Sequence, residues 1–141
     1  AWIVTKTDRF KAAVSQKPVI NWATLAYTSD AYMYFSSYWF SDAPWNPEEM
    51  KEYLKRSPLT FVDKVTTPTM LMTGEQDYRT PITEAEQFYQ ALQLRKVDTM
   101  LIRVPESSHS IASKPSRIIA KVGHVLSWFE RYGGESVNDV E

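Results

Sequence analysis

Pro68-Thr69-Met70-Leu71-Met72-Thr73-Gly74 is the stretch from which the fold can be read. Five uncharged residues rich in methionine and leucine lie between a proline and a glycine. Such a short apolar run is typical of a strand covered on both faces, as in a parallel sheet. Downstream, Pro81 opens a helix whose Ala85, Phe88, Tyr89, Leu92 and Leu94 recur at the spacing of one buried stripe. Thr99 to Val104 is a second strand, ended by Pro105. A last helix is predicted from about Ser116 to Tyr132, with Ile118, Ile119, Val122, Val125, Leu126 and Phe129 as its inner face, stopped by Gly133-Gly134. The order is therefore strand 69–73, helix 82–95, strand 99–104, helix 116–132. Such crossovers are right-handed almost without exception, so the two strands are expected as parallel neighbours. The fold class is α/β, a parallel sheet with flanking helices.

Upstream, Asn46-Pro47-Glu48-Glu49 starts a helix. Asn46 can cap the free amides, proline suits the first helical position, and the acids favour the positive end of the dipole. This helix is expected to reach about Arg56, where Ser57-Pro58 stops it. Val19 to Trp45 reads as irregular loop and short helices, with seven aromatics between Tyr27 and Phe40. Phe10 to Ser15 is a further candidate strand, and Ala1 to Thr7 the tail of a helix or a strand. Residues 1–134 are expected to form one unit, and 135–141 a frayed polar tail.

Composition narrows the function. The chain has 141 residues, 43% hydrophobic, enough for a single core. Sixteen Lys and Arg against 17 Asp and Glu give a net charge of −1. That balance removes the electrostatic case for a nucleic-acid partner and for a polybasic membrane surface. No apolar run approaches the ~20 residues of a membrane span. There is no cysteine, so disulfides, thiolate metal sites and a cysteine nucleophile are excluded. No metal or cofactor is expected, and a cytoplasmic location is. The first residues lack the basic lead and long apolar stretch of a signal peptide, and they lack a starting methionine. A trimmed or truncated chain is the expectation. The four glycines, Gly74, Gly123, Gly133 and Gly134, cannot be arranged into a phosphate-cradling loop.

Parallel strands end on the same edge of the sheet, and ligands bind at that edge. After the first strand come Gly74-Glu75-Gln76-Asp77-Tyr78-Arg79-Thr80-Pro81. After the second come Pro105-Glu106-Ser107-Ser108-His109-Ser110. Asp77 and His109 each follow a strand end by four or five residues, so the fold is expected to join an acid and an imidazole on one rim. An aspartate fixes the histidine tautomer and stabilises the imidazolium that forms when the ring takes a proton. Singly, each residue reads as a loop residue; paired, in the order Asp then His, they read as a general-base assembly. His124 lies within the last helix, where a structural role is expected. Glu75 and Glu106 read as loop acids, and Glu84 and Glu86 as acids at a helix start.

Arg56-Ser57-Pro58-Leu59, Thr67-Pro68-Thr69-Met70-Leu71-Met72, the Gly74–Pro81 and Pro105–His109 blocks, and Trp128-Phe129-Glu130-Arg131-Tyr132 together resemble the closing part of the prolyl oligopeptidase family. The branch most resembled is the acylaminoacyl peptidases, over nearly the whole chain from Trp2 to Tyr132. The resemblance implies the carboxyl-terminal portion of an α/β-hydrolase fold and serine-peptidase chemistry on peptide substrates. It implies Asp77 as the triad acid and His109 as the triad base. It implies that Arg79 helps hold the blocked amino end of a substrate, and that part of the Trp22–Trp45 region lines an apolar specificity pocket.

One departure is severe. The family's nucleophile sits in G-x-S-x-G, and no serine here has glycine two residues before and two after. The glycine-rich oxyanion loop is missing too. The chain is thus expected to begin shortly after the missing serine, to be inactive alone, and to associate with itself or with the absent amino-terminal part of the same polypeptide. A second reading is a noncatalytic interaction module using the aromatic surface from Tyr27 to Trp45. A third is a piece of a related esterase or dipeptidyl peptidase.

Overall fold

All residues of β2 (Thr69–Gly74) are buried, and its side chains alternate between two cores. Leu71 points into a cluster with Val4, Ile20, Val65, Ala85, Phe88 and Leu92. Met70 and Met72 point the other way, against Ile111 and Trp128. The structure, a computed structural model, describes residues 1–133. Gly134 and the tail expected at 135–141 lie outside the described residues.

β2 is the middle of a three-stranded sheet, flanked by β1 (Ala13–Gln16) and β3 (Thr99–Val104). Both pairings are parallel, with Ala13 opposite Thr69 and Thr69 opposite Thr99. The strand expected at 10–15 thus starts later, at Ala13, and its residues are only half-buried because β1 has a neighbour on one side alone.

Chain order accounts for the layers. A 3-10 turn (Ile3–Thr5) precedes β1. The aromatic region then forms two short helices, α1 (Trp22–Thr28) and α2 (Tyr32–Trp39). Asn21 caps α1 by accepting from the amides of Ala23 and Thr24. α3 (Pro47–Arg56) has the predicted start: Asn46 accepts from the Glu48 amide, Pro47 opens the helix, and Lys55 and Arg56 occupy the last turn. A third apolar cluster joins Ala26, Phe40 and Tyr53, with the Phe40 and Tyr53 rings stacked at 3.7 Å between centroids. Burial pushes the Tyr53 hydroxyl pKa up, and the neutral group donates to the Asp42 carbonyl at 3.1 Å. A 3-10 segment (Pro58–Lys64) leads to β2, and α4 (Ile82–Leu94) crosses one face on Ala85, Phe88 and Leu92.

The other face is covered by α5 (Pro115–Gly133), but not by the stripe expected from sequence. Trp128 is its buried residue, with Val125 and Tyr132 beside it. Ile118, Ile119, Val122, Leu126 and Phe129 are exposed, Ile119 at 73%. The reason is geometric. The helix carries one broad apolar arc, and periodicity alone does not choose which part of that arc meets a sheet of this width. At its end Arg131 and Tyr132 both reach the Asp98 carboxylate. Burial, reinforced by that hydrogen bond, pushes the Tyr132 hydroxyl pKa up to about 12.

Phe88→Ala in this chain is expected to cost about 3–5 kcal/mol by cavity formation. Ile119→Ala is expected to change stability by less than about 0.5 kcal/mol. Urea unfolding of the two variants checks the assignment of inner faces; equal losses would contradict it.

Candidate active site

The loops after β2 and β3 are stitched together before any side chain is considered. The Glu75 amide donates to the Val104 carbonyl at 3.1 Å and the Gln76 amide to the Ser107 carbonyl at 3.0 Å. Gly74 makes this approach possible: a Cβ there would lie 2.1 Å from the Ser107 oxygen and 2.6 Å from that of Ser108. On the opposing loop, Glu106 adopts a left-handed backbone at φ 52°, uncommon for a residue with a side chain. The Arg117 guanidinium of α5 holds this loop by donating to the Pro105 carbonyl at 2.8 Å.

On this platform Asp77 is 2% exposed. Its Oδ1 accepts from the amides of Arg79 and Thr80, both at 2.9 Å, and its Oδ2 from the Thr80 hydroxyl at 3.2 Å. This is the turn chemistry of an aspartate bonding two and three residues ahead. His109 Nδ1 lies 2.9 Å from Oδ2 and 3.1 Å from Oδ1. The structure thus brings Asp77 and His109 together, as their loop positions require. The carboxylate only accepts, so Nδ1 carries the ring proton and Nε2 keeps the lone pair. The histidine side chain is 44% exposed, and Nε2 has no hydrogen-bond partner among the described residues. With a buried carboxylate behind it, the half-exposed imidazole can receive a proton at Nε2 from a group placed before the ring.

Arg79 sits on the same loop, half-exposed. Its Nε donates to Asp30 Oδ1 at 2.7 Å, and this bond, with the Asp30 charge, raises the guanidinium pKa. Asp30 lies in the segment between α1 and α2, and its amide donates to the Tyr78 carbonyl at 2.8 Å. Ser29 Oγ donates to the Arg79 carbonyl at 2.7 Å. The catalytic-loop candidate is therefore fastened to the aromatic helices. Sequence reading missed Asp30 and Glu84, which is buried rather than solvated; Thr80 could have been found from its spacing after Asp77.

The aromatic helices border two cavities. One, about 690 Å³, is lined by Trp2, Trp22, Trp39, Phe40 and Phe61 with Lys6, Lys55 and Arg56. The second, about 400 Å³, is lined by Tyr27, Tyr32, Met33 and Trp45 among others. Neither Asp77 nor His109 lines either. His124 is exposed on α5 and lines a gap of about 300 Å³ that neither Asp77 nor His109 lines. Among the described residues no group of His, Asp and Glu is arranged to hold a metal ion, and no helix is long and apolar enough to cross a membrane.

The sequence profile of the prolyl oligopeptidase family matches residues 1–136. The chain is 35% identical over 133 residues to the uncharacterized peptidase YuxL of Bacillus subtilis, covering 93% of this chain and 20% of that protein. It is 28% identical over 131 residues to the acylamino-acid-releasing enzyme of Arabidopsis thaliana, covering 89% of this chain and 17% of the relative. Among solved structures, the acylaminoacyl peptidase of Pyrococcus horikoshii superposes with a TM-score of 0.86 at 26% identity, covering 99% of this chain and 23% of that one. The chain spans about a fifth of the length of these relatives. The architecture is part of an α/β-hydrolase fold.

Gly74→Ala is expected to push the 105–109 loop away from β2, at a cost of about 1–3 kcal/mol by overpacking. Proton NMR would register it as loss of the hydrogen-bonded Nδ1–H signal of His109. A variant that keeps this signal and full stability would contradict the close-approach argument.

Proposed function

The chain belongs to the prolyl oligopeptidase family of peptidases, and from that premise we propose that it supplies the acid and base of a serine peptidase acting on short peptides, N-acylated ones included. The observation that carries the proposal is the 2.9 Å contact from His109 Nδ1 to the buried Asp77 carboxylate. In this reading Asp77 orients His109 and stabilises its imidazolium. Nε2 takes the proton of a serine hydroxyl as its oxygen attacks the peptide carbonyl carbon. The same proton passes to the leaving amine as the C–N bond breaks, and water releases the acyl group by the reverse sequence. The serine and its oxyanion donors would come from the remainder of a longer polypeptide, since no G-x-S-x-G can be written here.

Arg79 is proposed to hold the blocked amino end. Its Nε is committed to Asp30, while its terminal nitrogens have no partner among the described residues. The α1–α2 aromatics are proposed as the wall that receives an apolar side chain. The name of the acylamino-acid-releasing relative motivates the substrate class. A sequence without cysteine is compatible with the cytoplasmic setting we propose. An alternative role, in which the aromatic surface serves protein contact alone, is favoured by the exposure of Tyr34, Tyr38 and Trp45.

A fluorophosphonate probe is expected to label a serine in the longer polypeptide and none in this chain by itself. Stoichiometric labelling of the isolated chain would refute that division. Asp77→Asn in the longer polypeptide is expected to lower kcat by ~10⁴ through loss of the tautomer-fixing acceptor; a decrease under tenfold would remove Asp77 from the reaction. The isolated chain, with the apolar arc of α5 uncovered, is expected to self-associate. Sedimentation equilibrium giving a single monomer mass across concentrations would exclude this.

A further inference from the structure

We propose that Glu84 is a positioning residue that fixes the aromatic helices α1 and α2 relative to the Asp77–His109 pair, and so sets substrate affinity. The proposal rests on the reading of that pair given above. Glu84 lies in the first turn of α4, where an acid can face water and still interact with the helix dipole. Instead it is 0% exposed, and no cation lies within ion-pair distance of it among the described residues. A buried carboxylate without a counter-ion is costly unless hydrogen bonds replace its hydration.

The partners reveal where that cost is directed. Oε2 accepts from the amides of Ile20 at 2.9 Å and Asn21 at 2.7 Å. Oε1 accepts from the Thr24 hydroxyl at 2.6 Å and, more weakly, from Gln87 Nε2 at 3.5 Å. Ile20 and Asn21 form the entry to α1, and Thr24 is in its first turn. Glu84 therefore grips the amino end of α1, some sixty residues away in sequence.

The carboxyl end of α1 is gripped by the same stretch of chain. Ser29 and Asp30 bond to the backbone of Arg79 and Tyr78, and Asp30 to the Arg79 guanidinium. Both ends of α1 are thus fastened to the continuous segment 77–84, which starts with Asp77. α1 in turn holds α2: the Trp22 ring meets Phe35, Trp39 and Phe40 edge-on, at 5.4–5.9 Å between centroids. Without Glu84 the amino end of α1 would keep the bonds of the Trp22 amide to Ser57 Oγ, of the Leu59 amide to the Ile20 carbonyl and of Asn21 Nδ2 to Gln87. The Ile20 and Asn21 amides would lose their acceptor, however, and this end of α1 could shift against the segment that carries Asp77. The aromatic wall would then move while Asp77 and His109 kept their own hydrogen bonds.

The test uses the longer polypeptide carrying the serine, with a peptide substrate bearing an apolar side chain. Glu84→Leu fills the space and accepts nothing. Glu84→Gln can still accept from both amides through its oxygen and donate from its nitrogen to Thr24 Oγ1. Glu84→Leu is expected to raise KM by about 10- to 100-fold with kcat within about threefold, the signature of lost substrate placement rather than lost chemistry. Fluorophosphonate labelling, which needs only the reacting groups, is expected to keep its rate. Glu84→Gln is expected to restore KM. An unchanged KM for Glu84→Leu, a Gln variant no better than Leu, or a labelling rate that falls with affinity would each overturn the proposal. If Glu84→Leu does not accumulate as folded protein, Thr24→Val reads the same link with less disruption, and an unchanged KM there also overturns it. An unmutated polypeptide that neither labels nor hydrolyses overturns the reading of Asp77 and His109 themselves. An active parent with an indifferent Glu84→Leu overturns the role of Glu84 alone.

Discussion

Two backbone loops touch at Gly74, and the candidate site exists because they do. The carbonyls of Ser107 and Ser108 occupy space that any Cβ at position 74 would claim. That contact registers the loop after β2 against the loop after β3. It lets the Gln76 amide find the Ser107 carbonyl, and it leaves the Asp77 carboxylate and the His109 ring at hydrogen-bond distance. Side-chain bonds then lock the acid: the two amides and one hydroxyl of its own turn consume lone pairs that would otherwise need water. What remains for the histidine is a fixed, desolvated acceptor. Its proton location follows from that, without any further group.

The electrostatics of the region are local and mostly uncharged in character. Asp77 and Glu84 are both buried, and both are satisfied chiefly by backbone amides and hydroxyls rather than by lysine or arginine. Amides held in a folded frame do not reorganise, so they place a carboxylate more reproducibly than a flexible cation would. The ion pair of Arg79 with Asp30 is half-exposed and screened, and its value lies in where it ties the chain more than in its strength.

The apolar surface divides by purpose. β2 and α4 bury theirs completely along the contact line, while α5 leaves most of its own open. The three-stranded sheet covers only the part of the apolar arc of α5 that carries Val125, Trp128 and Tyr132. The chain spans about a fifth of its relatives' length, and among the described residues most of the apolar arc of α5 and one side of β1 are uncovered.

Much was legible in the sequence for a physical reason: the deciding signals are local. A short apolar run between proline and glycine announced the central strand, Asn46-Pro47-Glu48-Glu49 announced α3, and two strand ends in a βαβ succession fixed the edge at which Asp77 and His109 stand. Chain order alone therefore determined the class of fold and the meeting of those two side chains. Position within local structure did not determine which arc of α5 is buried, because apolar period reports that a face is hidden and says nothing of the surface that hides it. Nor did it distinguish Glu84 from an ordinary helix-start acid, or connect Asp30 to Arg79, since their partners lie roughly fifty to sixty residues away. Those were settled only when the layers packed, as burial removed water and left each polar group to find whichever donor the tertiary structure had placed beside it.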